Sequence, residues 1–203
     1  MSAAVSSEAV PRLPSAARQR ILDAAYTLFC HRGIRAVGTA ELIDHAQVAK
    51  ATFYRHFPSK EDLVLAFIKQ RQKLWVDEWV IAESEARGAT PEQQLLVIFD
   101  LFNEWFAYDD FEGCTFTNIL LEYNDPQQPI HQACVAALHD VRLILADLAN
   151  RAQLRDPEAF AYSWHILMKG SIIQAGEGDL AAAKRAQTMG RLLIEHHRPP
   201  PRQ

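Results

Sequence analysis

Residues 39–60 read TAELIDHAQVAKATFYRHFPSK. Thr39 is a candidate N-cap, and Leu42, Ile43 and Ala46 give the first segment an apolar face at helical spacing. Ala46, Gln47 and Val48 carry a turn. A second helix over about 49–57 directs Val48, Phe53 and Phe57 inward. Its other side shows Lys50, Ala51, Tyr54 and Arg55, flanked by Thr52 and His56, and holds no acid. Pro58 follows at once, and Ser59 is placed to cap a third helix. A helix docked by its partner and presenting cations, hydroxyls and an aromatic ring is what a helix-turn-helix lays in the DNA major groove.

The run VAKATFYRHFPSKEDLVLAF resembles the recognition-helix signature of the TetR family of one-component transcriptional regulators. The likeness extends back through Arg18-Gln-Arg-Ile-Leu-Asp-Ala-Ala and Leu28-Phe29…Arg32-Gly33, and forward to about Leu65. It implies that Lys50, Ala51 and Arg55 face bases, with Arg55 suited to a bidentate contact with guanine. Thr39, Thr52, Tyr54, His56 and Lys60 match positions that hold phosphates in the family, setting register without reading sequence. Two departures stand out. Gln47 replaces the usual turn glycine, and Ala49 and Ala51 stand where Ser and Gly are common. At a left-handed position the missing glycine costs about 1 kcal/mol.

Charge distribution supports a nucleic-acid partner for this region. The 203-residue chain carries a net charge of −4, yet 11 Lys+Arg stand against 5 Asp+Glu between Arg12 and Lys73. From residue 74 onward 10 stand against 19. A basic amino-terminal third on an acidic body is the footprint of local phosphate binding. No apolar run approaches the roughly 18 residues of a membrane span, and no apolar signal segment opens the chain. A cytoplasmic protein is therefore expected. Three separated cysteines, Cys30, Cys114 and Cys134, make neither a disulfide framework nor a metal finger.

No strand-like alternation interrupts the helical periodicity, so the expected fold is all-α with about nine helices. Residues 1–13 and 199–203 read as disordered tails. Residues 14–60 form a three-helix DNA-binding domain, and 61–198 a helical ligand-binding and dimerisation domain. Helix 1 runs from about Ser15 to Arg32, stopped by Gly33. Helix 4 starts behind Ser59 and reaches about Arg87. Thr90-Pro91, Pro129, Asp156-Pro157 and Asp179 open later helices, with a short one between Cys114 and Tyr123.

The carboxy-terminal part has unusually placed aromatics. Trp75 and Trp79 are four apart, Phe99, Phe102 and Phe106 form one stripe with Trp105 beside it, and Phe160 and Trp164 are again four apart. Such stripes are either core or the lining of an apolar cavity. Cys114, Asn118 and Glu122 recur every four residues on the short helix, in a Gly-Cys-x-Phe-x-Asn…Glu segment similar to one found in a subset of TetR-like regulators. They either line an effector pocket, with Trp75, Trp79, Phe102, Phe106, Trp164 and His165, or cap and orient the helix. Alternatively Cys114, at a helix N-terminus, senses oxidants or electrophiles. Cys114, Glu122 and His131 lack metal-ligand spacing, so neither metal nor cofactor is expected.

Ile166, Gly170, Ile173, Leu180, Ala183, Gly190, Leu193 and Ile194 give the last two helices apolar and small residues at helical spacing. The resemblance implies that these helices pair across a two-fold axis, placing two readers on a palindromic operator with half-sites about 34–36 Å apart. It also implies a repressor released by an apolar or aromatic effector, through movement of helix 4. The alternative is a DNA-binding protein without ligand control. No Gly-rich phosphate loop, Glu-x-x-His pair or Gly-x-Ser-x-Gly elbow suggests an enzyme.

Overall fold

The computed structural model describes residues 15–200; the expected tail at 1–13 and all but the first two residues of the one expected at 199–203 lie outside them. Nine helices make up the described residues. They are α1 (Ala16–Arg32), α2 (Thr39–His45), α3 (Lys50–His56), α4 (60–87), α5 (Pro91–Trp105), α6 (Thr115–Glu122), α7 (Pro129–Arg151), α8 (Pro157–Gly176) and α9 (Ala182–His197).

Local chemistry sets most boundaries. Ser15 Oγ accepts from Arg18 N at the start of α1, and Ser59 and Asp62 form a reciprocal capping box at the start of α4. Thr90 caps α5 with Pro91 in its first turn. Two expected starts shift. Gly38 is the N-cap of α2, so Thr39 lies inside the helix without a capping bond. The turn after Asp179 delays α9 to Ala182.

Helix α1 packs on α2, α3 and α4 through Ile21, Leu22, Ala25, Leu28 and Phe29, which meet Leu42, Phe53, Phe57 and Leu63. These side chains are all buried, so three short helices share a core that none could form alone. Gln47 has φ 49°, the left-handed conformation that its turn demands. Gln47→Gly is expected to raise stability by about 0.5 kcal/mol and Gln47→Val to lower it by at least about 1 kcal/mol. Urea midpoints measure both.

Helix α4 is not α-helical throughout. Gln72–Ile81 forms a π-helical stretch between α-helical ends. This wider coil carries Trp75 and Trp79, whose ring centroids lie 5.6 Å apart. Both pack against Trp105 of α5, with Phe102, Phe106 and Phe111 completing one aromatic cluster. Helices α8 and α9 pack along each other and against α7 and α5. No helix among the described residues is long and apolar enough to cross a membrane.

Candidate nucleic-acid interface and its link to the helical domain

Helix α3 buries Phe53 and sets Lys50, Ala51, Tyr54 and Arg55 in solvent, with Thr52 and His56 half-buried beside them. The T-shaped contact of Tyr54 with Phe53, at 5.3 Å, holds the phenol on the outer face. Behind this face, Arg20 Nε donates to the Ala46 carbonyl at 3.3 Å, and the Arg18 guanidinium lies 5.2 Å from the Phe57 ring centre. The turn between the two helices is thus braced from α1, and the α3 cations Lys50 and Arg55 form no ion pair among the described residues.

Two residues expected at phosphates also make intramolecular contacts. His56 Nε2 is 3.1 Å from Ser15 Oγ, joining the end of α3 to the start of α1. Lys60 Nζ donates to the Ile34 carbonyl, and burial lowers its pKa, partly offset by the nearby Glu122 carboxylate. Its ammonium is turned inward against the chain.

Glu122 lines a narrow crevice of about 10 Å³ with Asn118, Cys30 and Ile34, and its carboxylate is also held by backbone amides. The last residue of α6, it accepts from the Ile34 amide at 3.0 Å and the Arg35 amide at 2.8 Å. Gly33 makes this approach feasible: its φ is 78°, and a Cβ there would lie 2.8 Å from Glu122 Oε1. Arg35 adds a cation–π contact, 5.1 Å from the Tyr123 ring centre. The carboxylate is therefore a latch between α6 and the loop leading into α2. Gln at 122 keeps one good acceptor and loses the charge, at about 1–2 kcal/mol. Glu122→Gln should exchange the Ile34 and Arg35 amide hydrogens about tenfold faster, with α8 and α9 amides unchanged.

The other candidate ligand residues divide. Phe102, Phe106 and Trp164 are core, 0–2% exposed and packed ring against ring. Asn118 is exposed and donates to the Glu112 carbonyl at 3.3 Å. His165 is buried, and its pKa is pushed down to about 3 by burial, then by Lys169 and Arg142. His131 Nδ1 is 2.7 Å from the Tyr123 carbonyl, so it does not converge with Cys114 and Glu122. Cys30 and Cys134 are thiols pushed up to about 12, each mainly by burial, with Glu112 also acting on Cys30.

Cys114, the N-cap of α6, lines a crevice of about 20 Å³ with Arg71, Trp75, Trp105 and Phe116. Of the expected ligand residues, this crevice brings together Cys114 and Trp75 and leaves Trp79 in the adjoining aromatic cluster. Arg71 had no sequence signal, being one cation among several on α4.

Residues 21–67 match the family model for bacterial regulatory proteins of the tetR family. These residues are a TetR-family DNA-binding domain. The chain is similar to a TetR-family transcriptional regulator from Streptomyces coelicolor, 25% identical, with a TM-score of 0.81 over 90% of this chain and 96% of that one. It also resembles the transcriptional activator FasR of Mycolicibacterium smegmatis, 34% identical over 48% of this chain and 44% of FasR. The repressor KstR2 of Rhodococcus jostii is 42% identical over 25% of this chain and 24% of its own length. The chain thus aligns with less than half of either relative. TetR-family proteins are DNA-binding transcription regulators, not enzymes.

Proposed function

We propose that this protein is a dimeric TetR-family repressor, released from a palindromic operator when a small apolar or aromatic effector enters the helical domain. Residues 14–60 read DNA, and 61–198 hold the effector and the dimer contact. The observation that carries this reading is the Glu122 latch. Through it α6, one wall of the Cys114 crevice, grips the loop that leads into the DNA reader. Displacing α6 or α4 at the crevice would tilt α3, and an effector moves that equilibrium only by its differential affinity for the two states.

The exposed face of α8 and α9 supports a dimer. Tyr162, Ile166, Ile173, Met189 and Leu192 are more than half exposed, and Ile166 and Met189 line a groove of about 320 Å³. An apolar surface of this kind marks a contact with another molecule. Within the sequence-derived dimer stripe, Ala183, Gly190 and Ile194 are buried against their own chain, leaving Ile166, Gly170, Ile173 and Leu180 for a partner. Of the named relatives, one is an activator and one a repressor; release by effector is the reading tested.

Selection from a randomised DNA pool by the full-length dimer should enrich a palindrome. Arg55→Ala should weaken binding to it by about 10–100-fold and relax selection at one position per half-site. Weak, salt-sensitive, sequence-blind binding by the unaltered protein would sink the reading.

A further inference from the structure

Three half-buried cations of the helical domain, Arg71, Arg142 and Lys169, form no ion pair among the described residues. Arg142 lies 4.9 Å from the Tyr162 ring centre, outside the aromatic cluster. Arg71 is different. Its guanidinium lies 4.6 Å from the Tyr26 ring centre, its Nε is buried without a hydrogen-bond partner, and it forms one wall of the crevice at Cys114. A buried donor without an acceptor is costly, so an acceptor entering here is favoured.

Lys169, on α8, is not among the crevice walls. The carboxylate on the α1 side, Glu112, is already engaged: it lies 3.1 Å from His31 Nε2 and acts on the Cys30 thiol. The remaining walls are flat and apolar, from Trp75, Trp105 and Phe116. At about 20 Å³ the crevice has room for about one water, so a larger guest must part its walls. Trp75 sits on the π-helical stretch of α4, a kind of irregularity that recurs at functional sites.

We propose that the Arg71–Cys114 crevice is the effector subsite and takes a small organic acid, its carboxylate on Arg71 and its flat apolar body against the wall made by Trp75, Trp105 and Phe116. This rests on the effector-responsive reading above and adds the chemical class. Guanidinium favours a carboxylate over a neutral amide of the same shape through charge-assisted hydrogen bonds.

The test titrates the full-length protein with benzoate, phenylacetate and 3-phenylpropanoate, and with the three matching amides, following tryptophan emission. At least one acid should bind about tenfold or more tighter than its amide. Arg71→Gln should abolish that preference, and Arg71→Lys should keep part of it. If Arg71→Gln fails to fold, Arg71→Lys carries the test, with a reduced preference expected. Equal binding of acid and amide, a preference untouched by either variant, or no response to any probe overturns the proposal. Operator binding by the same preparation without probe is a separate readout, so the regulator reading can stand while this one falls.

Discussion

Gly190→Leu should lose at least about 3 kcal/mol of folding stability, and Gly190→Ala about 1 kcal/mol. Gly190 lies in α9 where it crosses Trp164, and a Cβ at this position would sit 2.8 Å from Cη2 and 2.9 Å from Cζ3 of the indole. A third neighbour, Cε2 of Phe99, would be at 3.3 Å. The indole has nowhere to go. It is fully buried, stacked on Phe160 at 5.2 Å and flanked by Phe99 at 5.1 Å.

Two effects oppose each other in the alanine variant. Removing glycine from a helix interior gains up to about 1 kcal/mol, whereas overpacking a rigid core costs about 1–3 kcal/mol. The indole cannot rotate away without also moving Phe160 and Phe99, so the second effect wins. Combining Gly190→Ala with Trp164→Phe removes the atoms in conflict, and the pair should couple by at least about 1 kcal/mol in a double-mutant cycle. An alanine variant as stable as the original chain in urea would show that α8 and α9 can part cheaply.

Acid should destabilise the protein through His165. Histidine ordinarily titrates near about 6.5, and this one is pushed down to about 3 by burial and by the positive charges of Lys169 and Arg142. Between those values the unfolded chain binds a proton that the folded chain refuses. Stability contributed by this group is therefore complete above about pH 6.5 and falls as the pH drops towards 3, by up to about 1.4 kcal/mol per pH unit.

At pH 5 the loss is about 2 kcal/mol, equivalent to about 4–8 °C in Tm for a chain of this size. The imidazole is 7% exposed, so solvent does little to screen it. His165→Leu should remove this part of the pH dependence, leaving a smaller slope between pH 7 and 5. Identical slopes in the two proteins would mean that the imidazole takes up its proton in the folded state.

The DNA reader and the helical domain differ in how much could be read in advance. Residues 39–60 carry their structure locally: a cap at Ser59, an apolar face at helical spacing, and an outer face without acids. Short-range rules therefore sufficed for the bounds of α1 to α4, apart from the cap of α2, but not for the π-helical stretch inside α4. The positive φ of Gln47 also followed, because a tight helix-turn-helix bend needs it whatever residue is present. For the dimer stripe, periodicity separated apolar from polar faces but could not say which apolar face met the same chain. Gly190 and Ile194 look inward and Ile166 outward because α9 lies across Trp164.

By itself, then, the sequence determined the helical class, most helix boundaries and the surface offered by α3. Each of these depends on residues within one or two turns of each other. Only the tertiary structure decided what Glu122, Lys60 and Arg71 do. Glu122 meets Ile34 and Arg35 across 88 and 87 positions, and Lys60 meets the Ile34 carbonyl across 26. Arg71 stands beside Cys114 with no pattern to announce it. A carboxylate or cation at a helix surface looks the same in sequence whether it faces water or an amide. Its partner is chosen by packing between elements, where a buried donor without an acceptor is costly enough to select the arrangement.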